Sequence, residues 1–255
     1  MTKFAFRAAL VALGLVAAAP AMAADNLLGP LGVAVNAGVV SDYRFRGISQ
    51  SDKNPAFQAG VEGTLPVNDW LTPYVGLWGS SVDFNNGTSA EIDAYGGLRG
   101  TFDKLGLDVG FIRYNYTGRG SPASQDFTEW KLGASYDFGF ALPSAAVYYS
   151  SDYFGNSDTA VYYTAGVAVP IPVTDFAPTI KANVGKQTVD KPANFFGAGA
   201  TKDNYIDYNI GLFATYWGFT AGVQYVDTNL SKTECGGLST CESGVVVSLN
   251  YAYSF

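Results

Sequence analysis

From Val245 to the end of the chain, apolar and small or polar residues alternate without a break. Val245, Val247, Leu249, Tyr251, Tyr253 and Phe255 fall on one face, and Val246, Ser248, Asn250, Ala252 and Ser254 on the other. A period of two is the signature of a β-strand, because successive side chains leave a strand on opposite sides. The pattern recurs. Ile92, Ala94, Gly96 and Leu98 oppose Glu91, Asp93, Tyr95 and Arg99. Trp130, Leu132, Ala134 and Tyr136 oppose Glu129, Lys131, Ser135 and Asp137. Ile206, Tyr208, Ile210, Leu212 and Ala214 oppose Asp207, Asn209 and Thr215, and Phe57, Ala59, Val61 and Leu65 oppose Gln58, Glu62 and Thr64. Weaker versions run over about 71–82, 105–116, 145–153, 161–169, 179–187 and 219–228. Another strand starts near Val33 and is expected to continue through Phe45. The sequence therefore predicts roughly twelve strands and no helix of consequence. Thirty glycines, seventeen tyrosines and seventeen phenylalanines fit that reading.

Connector lengths decide how the strands are joined. PVND, FDK, GFALP and WG are short, and PIPVTDFAP is intermediate. ISQSDKN, DFNNGTS, TGRGSPASQD, FGNSDT, TVDKPANFFGAGATKDN and NLSKTECGGLSTCES are longer and polar. Alternating short and long connectors place all turns at one end and all loops at the other. That is the plan of a transmembrane up-and-down antiparallel β-barrel, an all-β fold. A soluble β-sandwich also alternates, but its solvated face should be rich in Lys and Glu. Here charged residues make up only 15% of the chain, and the face opposite the apolar one carries mainly Gly, Ser, Thr, Asn and Tyr. Aromatics also gather near strand ends, at Tyr43, Phe45, Trp70, Tyr136, Phe138, Tyr153, Tyr216, Trp217, Tyr253 and Phe255, as interfacial girdles require.

The first residues read as a processing segment. Lys3 and Arg7 precede an apolar run from Ala8 to Ala19, followed by Pro20 and Ala21-Met22-Ala23. The run is too short to span a bilayer as a helix. Residues 1–23 are expected to be a cleaved secretory signal peptide and 24–255 the barrel, destined for the bacterial outer membrane. The closing Tyr251, Tyr253 and Phe255 are read as a sorting signal for barrel-assembly machinery, with outer-membrane lipids as the surroundings.

The stretch VSDYRFRGISQSDKNPAFQAGVE is unusual in alternating aromatics with arginines at Tyr43, Arg44, Phe45 and Arg46. In a barrel, Tyr43 and Phe45 are expected to face lipid while Arg44 and Arg46 point inward beside Asp42. Its core S-D-Y-x-F-R-G-x-S-Q-S, followed by P-A-x-Q, resembles the TorF-like porins of proteobacteria, with a looser match at YGGLRG and the aromatic finish. The resemblance implies an outer-membrane barrel and a channel. It supplies no defined substrate.

The sequence contains no histidine, which excludes Ser-His-Asp catalysis and leaves no imidazole for zinc or haem. No enzyme, cofactor or metal site is expected. A net charge of −7 without a basic cluster argues against nucleic acid as a partner. Cys235 and Cys241 are expected to pair as a disulfide in an exported loop. The remaining chemistry lies on the inward face. Asp42, Arg44, Arg46, Glu62, Glu91, Asp93, Arg99, Glu129, Lys131, Asp137, Lys181 and Asp207 are the expected lumen-lining residues. Two functions follow: a porin that passes small hydrophilic solutes or ions by diffusion, or a structural or interaction barrel plugged by its own side chains and acting through its loops. The excess of acids hints at cation preference.

Overall fold

A computed structural model describes residues 31–119, 123–173, 176–198, 200 and 202–255. The expected signal peptide lies outside the described residues. The strands are β1 (Gly32–Val40), β2 (Arg44–Phe45), β3 (Ile48–Ser49), β4 (Ala56–Thr64), β5 (Leu71–Ser81), β6 (Thr88–Phe102), β7 (Leu105–Gly118), β8 (Phe127–Tyr136), β9 (Leu142–Ser150), β10 (Ala160–Pro170), β11 (Thr179–Val189), β12 (Asn204–Tyr216), β13 (Phe219–Thr228) and β14 (Gly244–Ser254). Twelve of them form one closed antiparallel barrel; β2 and β3 form a separate two-stranded sheet. The barrel closes where β1 meets β14, from Ala34 opposite Ser254 to Val40 opposite Ser248. Closure leaves no free edge, so every wall strand has two neighbours for its backbone hydrogen bonds.

The alternation sorts residues across the wall as the sequence indicated. Val75, Leu132, Ile210, Val245 and Val247 stand outward and more than half exposed. Gln58, Glu62, Asp93, Asp108, Lys131 and Asn250 stand inward and buried. An apolar skin all round a closed sheet is the reverse of a soluble domain and suits hydrocarbon. Stacked or tilted aromatic pairs ring the short-turn end, including Trp70 with Phe102, Tyr136 with Phe138 and Phe219 with Tyr251.

Room inside is made by removing side chains. Gly185 on β11 is one such position: a Cβ there would come within 2.0 Å of the Tyr162 hydroxyl. Its absence lets the Tyr162 ring lie flat against the inner wall.

Candidate functional site

The wall strand expected to run to Phe45 ends at Val40. The chain then turns into the barrel. Val40 and Ala56 are directly paired, so residues 41–55 are an excursion from an otherwise tight β1–β4 hairpin. They carry their own small hairpin, with Arg44 opposite Ser49 and Phe45 opposite Ile48. Its turn is Arg46-Gly47, with φ of 48° and 83°. Two consecutive left-handed residues make the two-residue turn that matches strand twist, and glycine meets that demand without strain. Space gives a second reason for Gly47: a Cβ there would lie 2.4 Å from Thr228 Cγ2.

This placement corrects the expectation for Tyr43 and Phe45. Neither faces lipid. Tyr43 is buried, its ring 5.5 Å from Trp78, and Phe45 packs edge-on to Tyr114 at 5.6 Å. Tyr153, also assigned to a girdle, is buried against Phe127. The physical reason is that alternation continues in the sequence after the ladder has ended, and the hairpin has its own apolar surface to bury. Phe84, Phe154, Phe195 and Phe196 from the loops join it, giving an aromatic plug at the long-loop end.

Arg46 sits at the tip of the hairpin and reaches the opposite wall. Its Nη2 donates to Glu129 Oε2 at 2.6 Å and its Nη1 to Gln187 Oε1 at 2.5 Å. The guanidinium lies 4.1 Å from the Tyr162 ring centre and 5.2 Å from that of Tyr148. Glu129 also accepts from the Tyr114 hydroxyl at 3.1 Å. Arg44 does not line a free lumen. Its Nε donates to Asp42 Oδ2 at 2.7 Å, and its Nη1 donates to the carbonyls of Gly47 and Glu242. It thereby braces the hairpin against the 229–243 loop. Asp42 is held in turn by the Ser49 hydroxyl at 2.6 Å.

A second charged network occupies the inner wall toward the short-turn end. Arg99 makes a two-pronged pair with Glu62 at 2.5 and 2.8 Å, and lies 3.9 Å from the Tyr74 ring centre. Asp108 takes hydrogen bonds from Lys131 Nζ at 2.7 Å and from the Tyr74 hydroxyl at 2.8 Å. Lys181 projects over the Phe213 ring. Glu91, Asp93 and Asp207 are buried inside, and no cation bonds to them among the described residues.

Asp137 is a correction. It lies just past β8, where its Oδ1 accepts the Gly139 N–H at 2.7 Å. It shapes the turn after β8, at the short-turn rim and outside the charged networks described above. Asp108 and Gln187 were missed. Gly106, Asp108 and Gly110 alternate with Leu105, Leu107 and Val109 in the sequence, so Asp108 was readable as inward-facing. Gln187 carries no charge to draw attention. Cys235 and Cys241 are disulfide-bonded in the 229–243 loop, with Cα atoms 6.1 Å apart. No group of His, Cys, Asp and Glu suited to a metal ion occurs among the described residues.

The sequence from residue 24 to residue 253 matches a family described as bacterial protein of unknown function (Gcw_chp). The chain belongs to this family. No curated protein matches the chain. Among solved structures, the Gcw_chp chain is similar to one from a study of in-meso crystallisation of membrane proteins, with 13% identity, TM-score 0.55, and 88% of this chain and 84% of that one covered. An outer membrane channel from Pseudomonas putida F1 gives 9% identity, TM-score 0.48, and coverage of 88% and 94%. The translocator domain of the autotransporter NalP from Neisseria meningitidis gives 14%, 0.45, and coverage of 91% and 90%. At such identities the likeness shows the fold alone, a membrane-type β-barrel.

Proposed function

We propose that this Gcw_chp protein is a narrow outer-membrane channel for small hydrophilic solutes or ions, closed at its long-loop end by the hairpin 41–55. This keeps the TorF-like porin reading of the sequence and adds a plug to it. The observation that carries the proposal is the position of Arg46, bonded across the lumen to Glu129 and Gln187 from a segment that is not part of the wall. Because β2 and β3 form a sheet of their own, the hairpin can leave without opening the barrel ladder, breaking loop contacts such as Ser49 N–H to the Thr240 carbonyl. Behind it the lumen is polar, and acids outnumber bases there. An opened pore should therefore prefer cations.

Planar-bilayer conductance tests this reading. Loosening the hairpin by neutralising Arg44 and Arg46 should increase open time and shift the reversal potential toward cation selectivity. Currents and reversal potentials unchanged from wild type would count against it. The second reading, a sealed barrel acting through its loops, is favoured by the aromatic plug. It expects no current from any hairpin variant that remains folded.

A further inference from the structure

We infer that the wall pocket around Arg46 is a binding site for a guanidinium or small ammonium ligand, and that Arg46 occupies it as a tethered stand-in. The inference rests on the reading of the hairpin as a removable plug. The pocket belongs to the barrel and not to the hairpin: Glu129 is on β8, Tyr148 on β9, Tyr162 on β10 and Gln187 on β11, with Tyr153 supplied by the 151–159 loop. All five are at least nine-tenths buried.

Their chemistry is that of a cation receptor. Glu129 and Gln187 offer acceptor oxygens to two different nitrogens of one planar group. Gln187 keeps its amide nitrogen engaged on the Thr188 carbonyl at 2.9 Å, which fixes the oxygen toward the pocket. The neighbouring rings of Tyr162 and Tyr148, tilted to each other with centres 6.0 Å apart, lie within 4.1 and 5.2 Å of the cation. Aromatic faces with a carboxylate at the rim attract cations, and a fork of in-plane donors matches guanidinium better than a spherical ion. Among the described residues Glu129 has an ion pair with Arg46 alone, and the nearby Lys131 is bonded to Asp108. Asp207 adds a second negative charge, and its Oδ2 has no partner. With the hairpin withdrawn, this pocket would hold two carboxylates without the Arg46 counter-charge, a state that a cationic solute relieves.

Chemical rescue tests the site. Arg46→Asn removes the guanidinium yet retains a residue suited to the left-handed turn before Gly47. The thermal transition of this variant, followed by circular dichroism in detergent, should fall. Millimolar methylguanidinium should restore it saturably, while urea, the neutral isostere, should not. Adding Glu129→Gln should weaken the rescue roughly ten- to a hundredfold, the loss expected for a hydrogen bond to a charged group. Equal effects of methylguanidinium and urea, or a rescue that survives Glu129→Gln, would overturn the site. If Arg46→Asn does not fold, the same comparison is made on a variant barrel lacking residues 42–54. Bilayer recordings separate the two readings: rescue with an unchanged closed pore keeps the pocket and rejects the gate, and an opened pore without rescue does the opposite.

Discussion

Arg46 Nη2 lies 2.6 Å from Glu129 Oε2, and the two side chains are 5% and 1% exposed. This pair links the tip of an inserted hairpin to the far wall. Breaking a buried pair by removing one partner leaves an uncompensated charge and costs about 3–5 kcal/mol. Arg46→Ala and Glu129→Ala should each lower stability in urea titrations by that order. The double variant should cost less than the sum, because neither orphan charge remains.

Gly47→Ala should disturb the hairpin without removing any charged group. The residue has φ of 83°, and its new Cβ would crowd Thr228 Cγ2 and Asp207 Cβ. A left-handed non-glycine costs of order 1–3 kcal/mol before the clash is counted. The hairpin should become susceptible to proteolysis in 41–55 while the wall stays intact in the heat-modifiability gel.

How much of this was legible beforehand depends on what kind of contact is asked about. The wall was legible because period two is local: strands such as β6 and β14 declare both faces in their own residues. The plug was not, because Tyr43-Arg44-Phe45-Arg46 alternates like a wall strand and only the missing partner beyond Val40 reveals the departure. A charge at an inward register, such as Glu129, was readable as lumen-facing. Its partnership with Arg46, eighty-three residues away, requires knowing that the hairpin folds in. Asp137 falls one residue past the end of β8, because strand ends carry no sharp local mark in the sequence.

The two faces of one strand should respond oppositely to charge. Ile210 is 55% exposed on the outer face of β12, and Asn209 beside it points inward. Ile210 is the middle residue of β12, and Ile210→Arg should destabilise the protein in lipid by roughly 2–4 kcal/mol, the cost of a lipid-facing arginine near the bilayer midplane. Asn209→Arg should cost less and alter selectivity in the opened pore. Folding titrations into lipid vesicles measure both.

The 229–243 loop should keep its order in acid. The Ser231 backbone N–H, followed by the Ser231 hydroxyl and Lys202, holds the Glu234 carboxyl at about 2, below its ordinary 4.5. A lowered carboxylate contributes fully above its unfolded value and is lost as pH falls through the folded one. Pepsin cleavage of this loop at pH 3 should therefore be slow in wild type and faster in Glu234→Gln.

The central claim is that residues 41–55 close the lumen. Val40 and Ala56 face each other at the end of the β1–β4 ladder, so a two-residue Asn-Gly turn can replace the excursion. Single-channel conductance of that variant in planar bilayers, beside wild type, is the most direct measurement. A long-lived cation-preferring pore in the variant, against rare or brief openings in wild type, is the expected result. A folded variant that conducts no more than wild type would contradict the account.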